Sequence, residues 1–132
     1  MTASVLSVTF ASAANADPDP TPPGDAVIID SPVVYHMEPN ETKNMKKQQC
    51  PAEAPYLLDK DLAPGRRLPH GISVQEPEWG VGVGGQAMTN SDNYAIGVHE
   101  LSLTNWNLTK AYDVTVTSHC VSDKTFGYQP HL

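Results

Sequence analysis

The stretch "YDVTVTSHC", residues 112–120, restricts what this chain can fold into more than any other. Tyr112, Val114, Val116, Ser118 and Cys120 fall on one side by strict alternation, and Asp113, Thr115, Thr117 and His119 on the other. A period of two is that of a β-strand with one buried face. Such a strand needs a second layer over its apolar side. Cys120 keeps step with the valines, so its side chain points into the core. A thiol in apolar surroundings has a raised pKa and is inert. Composition agrees with a sheet protein: 12 prolines and 9 glycines in 132 residues, 17% of which are charged. Proline and glycine at that density supply turns between short strands. The expected fold is all-β, a sandwich-like antiparallel domain of roughly six to eight strands with one disulfide.

Other segments carry weaker strand signals. "AVIID" (26–30) and "PVVYHME" (32–38) are short apolar runs broken by Ser31-Pro32. Proline tolerates strand starts and edges, so an edge strand is expected there. "PNETKNMKKQQ" (39–49) has no clear period and reads as a loop or a short helical turn. Pro64-Gly65 is a type II turn pair. Further on, Leu68, His70, Ile72 and Val74 share one face. In "WGVGVGG" (79–85), Trp79, Val81 and Val83 face one way and Gly80, Gly82 and Gly84 the other. A glycine face lets a ligand or another backbone approach closely. Tyr94, Ile96 and Val98 form a set that slips to Leu101 and Leu103. One extra residue near His99-Glu100 restores the phase, which defines a β-bulge.

Residues 1–16, "MTASVLSVTFASAANA", are small and apolar and end in an A-x-A cleavage pattern, Ala14-Asn15-Ala16. They lack the basic start of an export signal, so the true start is expected to lie upstream; the alternative to cleaved export is a disordered Ala/Ser-rich leader. "DPDPTPPGD" (17–25) alternates acid and proline and can bury no core. The expected organisation is an export signal remnant at 1–16, an acidic Pro-rich linker forming a disordered arm at 17–25, and a single β-rich domain at 26–132. The net charge is −7, and residues 1–30 carry four acids and no base. No Lys/Arg cluster exceeds the pairs Lys46-Lys47 and Arg66-Arg67. That argues against a nucleic-acid partner, which requires a basic footprint. No apolar run approaches the length of a membrane span, so no stable membrane insertion is expected after cleavage. The expected location is secreted, outside the cell.

In an exported chain, two cysteines most simply pair. Cys50 opens the domain proper in "QQCPAEAP", and Cys120 closes it. "CPAEAPYLLDKDLAPGRRLPHGISV", followed by the terminal "VTVTSHCVSD", resembles small secreted actinobacterial proteins of the mycobacterial type, a group of uncharacterised function. There a Cys-Pro opens the domain and an "hC-S-D"-like strand closes it. The Ala-Asn-Ala and Asp-Pro junction is similar to mycobacterial export sites. The resemblance covers at most residues 48–123; it implies export and the disulfide, and no activity.

Several motifs test for chemistry. Ser91-Asp92-Asn93 is one element of the serine β-lactamase set, but S-x-x-K and K-T-G are missing, so it reads as a turn. A Ser-His-Asp triad has no G-x-S-x-G elbow to support it. His36, His70, His99, His119 and His131 lack metal-ligand spacing; His99 and His119 are the pair expected to meet. "NSDN" lacks the remainder of a calcium loop. No catalytic residue, metal or cofactor is therefore assigned. Trp79 and Trp106, with Tyr94 and Tyr112, offer an aromatic platform for a sugar or a protein, against the alternative of core packing. Asn40 and Asn107 head N-x-T triplets, which mark exposed turns. The leading expectation is a non-enzymatic binding module for a cell-envelope glycan or protein, using Trp106 and the face of Gly80, Gly82 and Gly84. Its rivals are a small secreted hydrolase using His and Asp or Ser, and a protease inhibitor presenting loop 62–71 with Arg66 and Arg67 as bait.

Overall fold

The computed structural model describes residues 26–62, 67–75 and 81–130. Residues 1–25, where the export segment and linker are expected, the Pro64-Gly65 pair, Arg66, Trp79, Gly80 and His131 lie outside them. The described residues form seven strands: β1 (Ile28–Met37), β2 (Thr42–Gln49), β3 (Tyr56–Leu57), β4 (Ile72–Gln75), β5 (Val81–Thr89), β6 (Ala95–Asn105) and β7 (Tyr112–Val121). They build two antiparallel sheets packed together. In the first, β7 is central, with β1 along one side and β4 and β3 in succession along the other. In the second, β6 is central between β2 and β5.

The alternation in β7 is realised in full. Tyr112, Val114, Val116, Ser118 and Cys120 are buried, while Thr115, Thr117 and His119 are half-buried and Asp113 is exposed on the outer face. Met37, Leu57, Ile72, Val98, Leu101 and Leu103 complete the core from both sheets. Full burial of such side chains contributes roughly 1.5–3 kcal/mol each.

The two apolar runs around Ser31-Pro32 form one continuous strand, β1, on the edge of its sheet. The Ser122 N–H donates to the Val27 carbonyl at 2.9 Å. In an antiparallel ladder, bonded positions alternate. Odd-numbered residues of β1 therefore bond to β7, and Pro32 falls where an N–H would point away from the sheet. A proline in mid-strand costs no ladder bond at that position.

Segment 39–49 departs from expectation. Residues 42–49 are an edge strand, not a loop or helical turn. The strand has little apolar period because Gln48 is its one buried residue. Gln48 Nε2 donates to the Val116 carbonyl at 3.2 Å and lies 3.4 Å from Ser118 Oγ, and its Oε1 accepts from the Tyr35 hydroxyl at 2.7 Å. Burial raises the pKa of that phenol. The two sheets are thus joined by a satisfied amide, as buried polar groups require.

The bulge in β6 lies where the phase slip puts it. Glu100 has φ +52°, and the register with both neighbours shifts by one residue there. A second irregularity follows from Gly97 to Ala95 against Met88-Thr89. It makes Ala95, not Ile96, the fully buried residue, so the face expected for Tyr94, Ile96 and Val98 is not kept. Likewise Leu68 and His70 precede β4; only Ile72 and Val74 of that set lie in the strand.

Asn105 closes one end of the sandwich. It is fully buried, and its Nδ2 donates to the carbonyls of Glu38 (3.1 Å) and Lys110 (2.8 Å), while its Oδ1 accepts from the Asn107 N–H at 3.0 Å. The Cys50–Cys120 disulfide crosses between the sheets: Cys50 follows β2, and Cys120 lies in β7. Their sequence separation is 70 residues. For a loop of that length the chain-entropy model gives about 4 kcal/mol. Replacing both cysteines with alanine is expected to lower stability by about that amount in urea denaturation, with a larger m-value because the unlinked unfolded chain exposes more surface.

Candidate functional site

Trp106 follows β6 and is 65% exposed. Its six-membered ring lies on the backbone of Gly82 in β5. A Cβ built at Gly82 would sit 2.7 Å from Cη2 and 2.9 Å from Cζ2 of the indole. One part of the ring is therefore held against glycine while much of the side chain meets solvent. The outer face beside it carries neutral polar groups. Thr42 and Thr104 hydroxyls are 3.1 Å apart, and Ser102 Oγ donates to Asn44 Oδ1 at 2.8 Å. Val81 and Val83 point to the core, as their phase requires.

Gly84 has a different neighbour. The Arg67 carbonyl accepts from the Gly85 N–H at 2.8 Å, and Arg67 bridges Gly84 as a short parallel contact. The close approach to the glycine face is thus an indole at Gly82 and a backbone at Gly84. Arg67 is exposed, with its backbone tied to β5. Of the other aromatics, Tyr112 is buried and accepts from Asn107 Nδ2 at 3.0 Å, and Tyr94 packs edge-on against Tyr56. They do not join Trp106 in one platform.

The described histidines sit beside carboxylates. His99 and His119, expected to meet, belong to different sheets, because β6 and β7 are not paired. His70 Nδ1 is 3.0 Å from Asp59 Oδ1, and its ring stacks on Tyr128. His36 Nδ1 is 2.8 Å from Asp113 Oδ1, and its Nε2 is 2.7 Å from Glu38 Oε2. Among the described residues, no three His, Cys, Asp or Glu side chains converge as metal ligands would.

His119 is flanked on both nitrogens by groups from other strands. Its Nδ1 is 2.7 Å from Asp30 Oδ1 of β1, and its Nε2 is 2.8 Å from Ser73 Oγ of β4. The hydrogen bond from His119 holds the Asp30 carboxyl below its ordinary pKa of 3.8. Asp30 faces His119 directly in the β1–β7 register, and Ser73 faces Thr117, one diagonal step away. No local motif signals this trio, because 89 residues separate Asp30 from His119 and 46 separate Ser73 from His119.

The remaining motifs have structural uses. Asn90 Oδ1 accepts from the N–H groups of Asp92 and Tyr94, so Ser91-Asp92-Asn93 is a turn. Asn40 is exposed in a turn at φ +59°. Asn107 is half-buried, and its Oδ1 accepts from the N–H groups of Thr109 and Lys110. An open depression of about 380 Å³ lies between Ala26, Tyr56, Ser122, Asp123 and Lys124. No described helix is long and apolar enough to cross a membrane. Among known proteins, no family model matches the chain, and no curated protein or solved structure shows significant similarity to it.

The hydrogen bonds to Asp113 and then to Glu38 raise the pKa of His36 above its ordinary 6.5. A raised folded-state pKa adds stability that is complete below the unfolded value and lost as pH rises through the folded one. In an NMR titration, His36 is expected to titrate above 6.5, and Asp113→Asn to lower its midpoint. The stability difference between wild type and Asp113→Asn should shrink as pH rises through the His36 midpoint.

Proposed function

We propose that this protein is a secreted carbohydrate-binding module that contacts a cell-envelope glycan through Trp106. The observation that carries this reading is the indole fixed on Gly82 and exposed to solvent. An aromatic ring offers a flat apolar surface, and sugars present apolar C–H faces between their hydroxyls. Ordering a side chain on binding costs about 0.5–1.5 kcal/mol. Gly82 lowers that cost by seating the ring beforehand. The neighbouring Thr42, Asn44, Ser102 and Thr104 are uncharged donors and acceptors, suited to hydroxyl groups. Secretion is supported by the Ala14-Asn15-Ala16 pattern and by the disulfide, which persists in oxidising compartments.

The test is calorimetric titration against a panel of soluble cell-envelope glycans. Saturable binding is expected, weakened at least about tenfold in Trp106→Ala. Gly82→Ala keeps the indole but forces it off its seat, and is expected to weaken binding as well. Absence of binding across the panel, or an affinity unchanged in Trp106→Ala, would overturn the reading.

A further inference from the structure

The outer face of the other sheet holds the second chemical arrangement. Asp30, His119 and Ser73 come from three adjacent strands, β1, β7 and β4, and form one hydrogen-bonded line. We propose that Ser73 is an activated nucleophile, with His119 as its general base and Asp30 as a positioning residue, and that it accepts acyl groups from small, unhindered esters. This rests on its own geometry and is independent of glycan binding at Trp106.

The order of the bonds fixes the direction of proton flow. An ionised carboxylate only accepts, so Asp30 takes the Nδ1–H of neutral His119. The lone pair on Nε2 then faces Ser73, whose hydroxyl donates to it. This is the relation of nucleophile, base and orienting group that generates serine nucleophiles on unrelated folds. Position supports it. Asp30 and His119 occupy a non-hydrogen-bonded antiparallel pair, where side chains come closest. Gly71 lies beyond His119 on the β4 side, where the His119 N–H donates to its carbonyl at 2.8 Å, and it adds no side chain there. Ser73 is half-buried and the His119 side chain is 22% exposed, so the Ser73 end of the line meets solvent.

In the reaction, Ser73 Oγ attacks the ester carbonyl carbon and passes its proton to His119 Nε2. The carbon–alkoxide bond breaks, and the departing alkoxide takes that proton. Water then releases the acyl group from Ser73 by the same path. Ser73 lies in the ladder opposite Thr117, so its own N–H points at β7 and not at a bound ester. Oxyanion stabilisation, which usually contributes most to acyl transfer, is weak there. The expected signature is therefore selective acylation with slow turnover.

The experiment incubates the folded, oxidised protein with a fluorophosphonate ester and maps adducts by peptide mass spectrometry. Ser73 is expected to be labelled faster than any other hydroxyl, and unfolded protein is not expected to share this selectivity. His119→Gln should slow labelling by about 100-fold or more, in the range of general-base contributions. Asp30→Asn should slow it too, with partial recovery in Asp30→Glu. A purely structural hydrogen-bond ladder gives Ser73 ordinary serine reactivity. No selective adduct on Ser73 in the native protein, or a rate unaffected by His119→Gln, would overturn the proposal. The wild-type result decides it even if a variant fails to fold.

Discussion

One covalent bond spans the gap between the two sheets, and the rest of the molecule is arranged around it. Cys120 sits on the core face of the central strand β7, and Cys50 lies just past β2 of the opposite sheet. Around that bond the polar groups of the interior are satisfied rather than avoided. Gln48 reaches β7 and Tyr35, and Asn105 holds three chain segments at one end. A single amide replaced by an apolar residue would remove two or three of these hydrogen bonds at once. Such losses cost about 1–3 kcal/mol each. The sandwich is small, so its covalent and polar ties across the sheets carry a large share of its stability.

How much was legible depended on what each strand buries. β7 alternates because its whole inner face meets the core, and its cysteine follows the same phase. The bulge at Glu100 was visible because apolar residues on both sides of it, Val98 and Leu101, mark the slip. β2 was not visible, because a strand whose one buried side chain is Gln48 has no hydrophobic rhythm. Trp106 was half legible. Its exposure fits a tryptophan flanked by two asparagines, but its seat on Gly82 depends on how β5 and β6 lie beside each other. The line of Asp30, His119 and Ser73 was hidden altogether. It exists only through the strand order β1, β7, β4, and neighbours in sequence say nothing about it.

The two outer faces differ in character. Beside Trp106 lie hydroxyls, amides and glycine backbone, with exposed Arg67 against Gly84. On the other sheet the surface is organised by histidine–carboxylate pairs, with His36 near one end and His119 near the other. The histidines lie at regular strand positions, and Trp106 sits one residue past β6 against β5. Side chains held on strands keep their mutual spacing better than those on mobile connections. A flat sheet face offers little enclosure, however. Whatever these surfaces contact must be recognised from one side, by stacking or by a few polar bonds.

Pro32 has an effect beyond its own strand. β1 is ten residues long, lies at a sheet edge and exposes Ile28, Val33 and Val34. An edge of that length with apolar side chains is a template on which another chain can add itself, and repeated addition builds fibrils. A docking strand would need the outward-facing donors of β1, and at the centre of the row Pro32 has none. The ring also occupies the space where the incoming carbonyl would lie. The proline therefore keeps molecules that meet at high local concentration from growing into a shared sheet, and replacing it would open that route without disturbing any bond inside the domain.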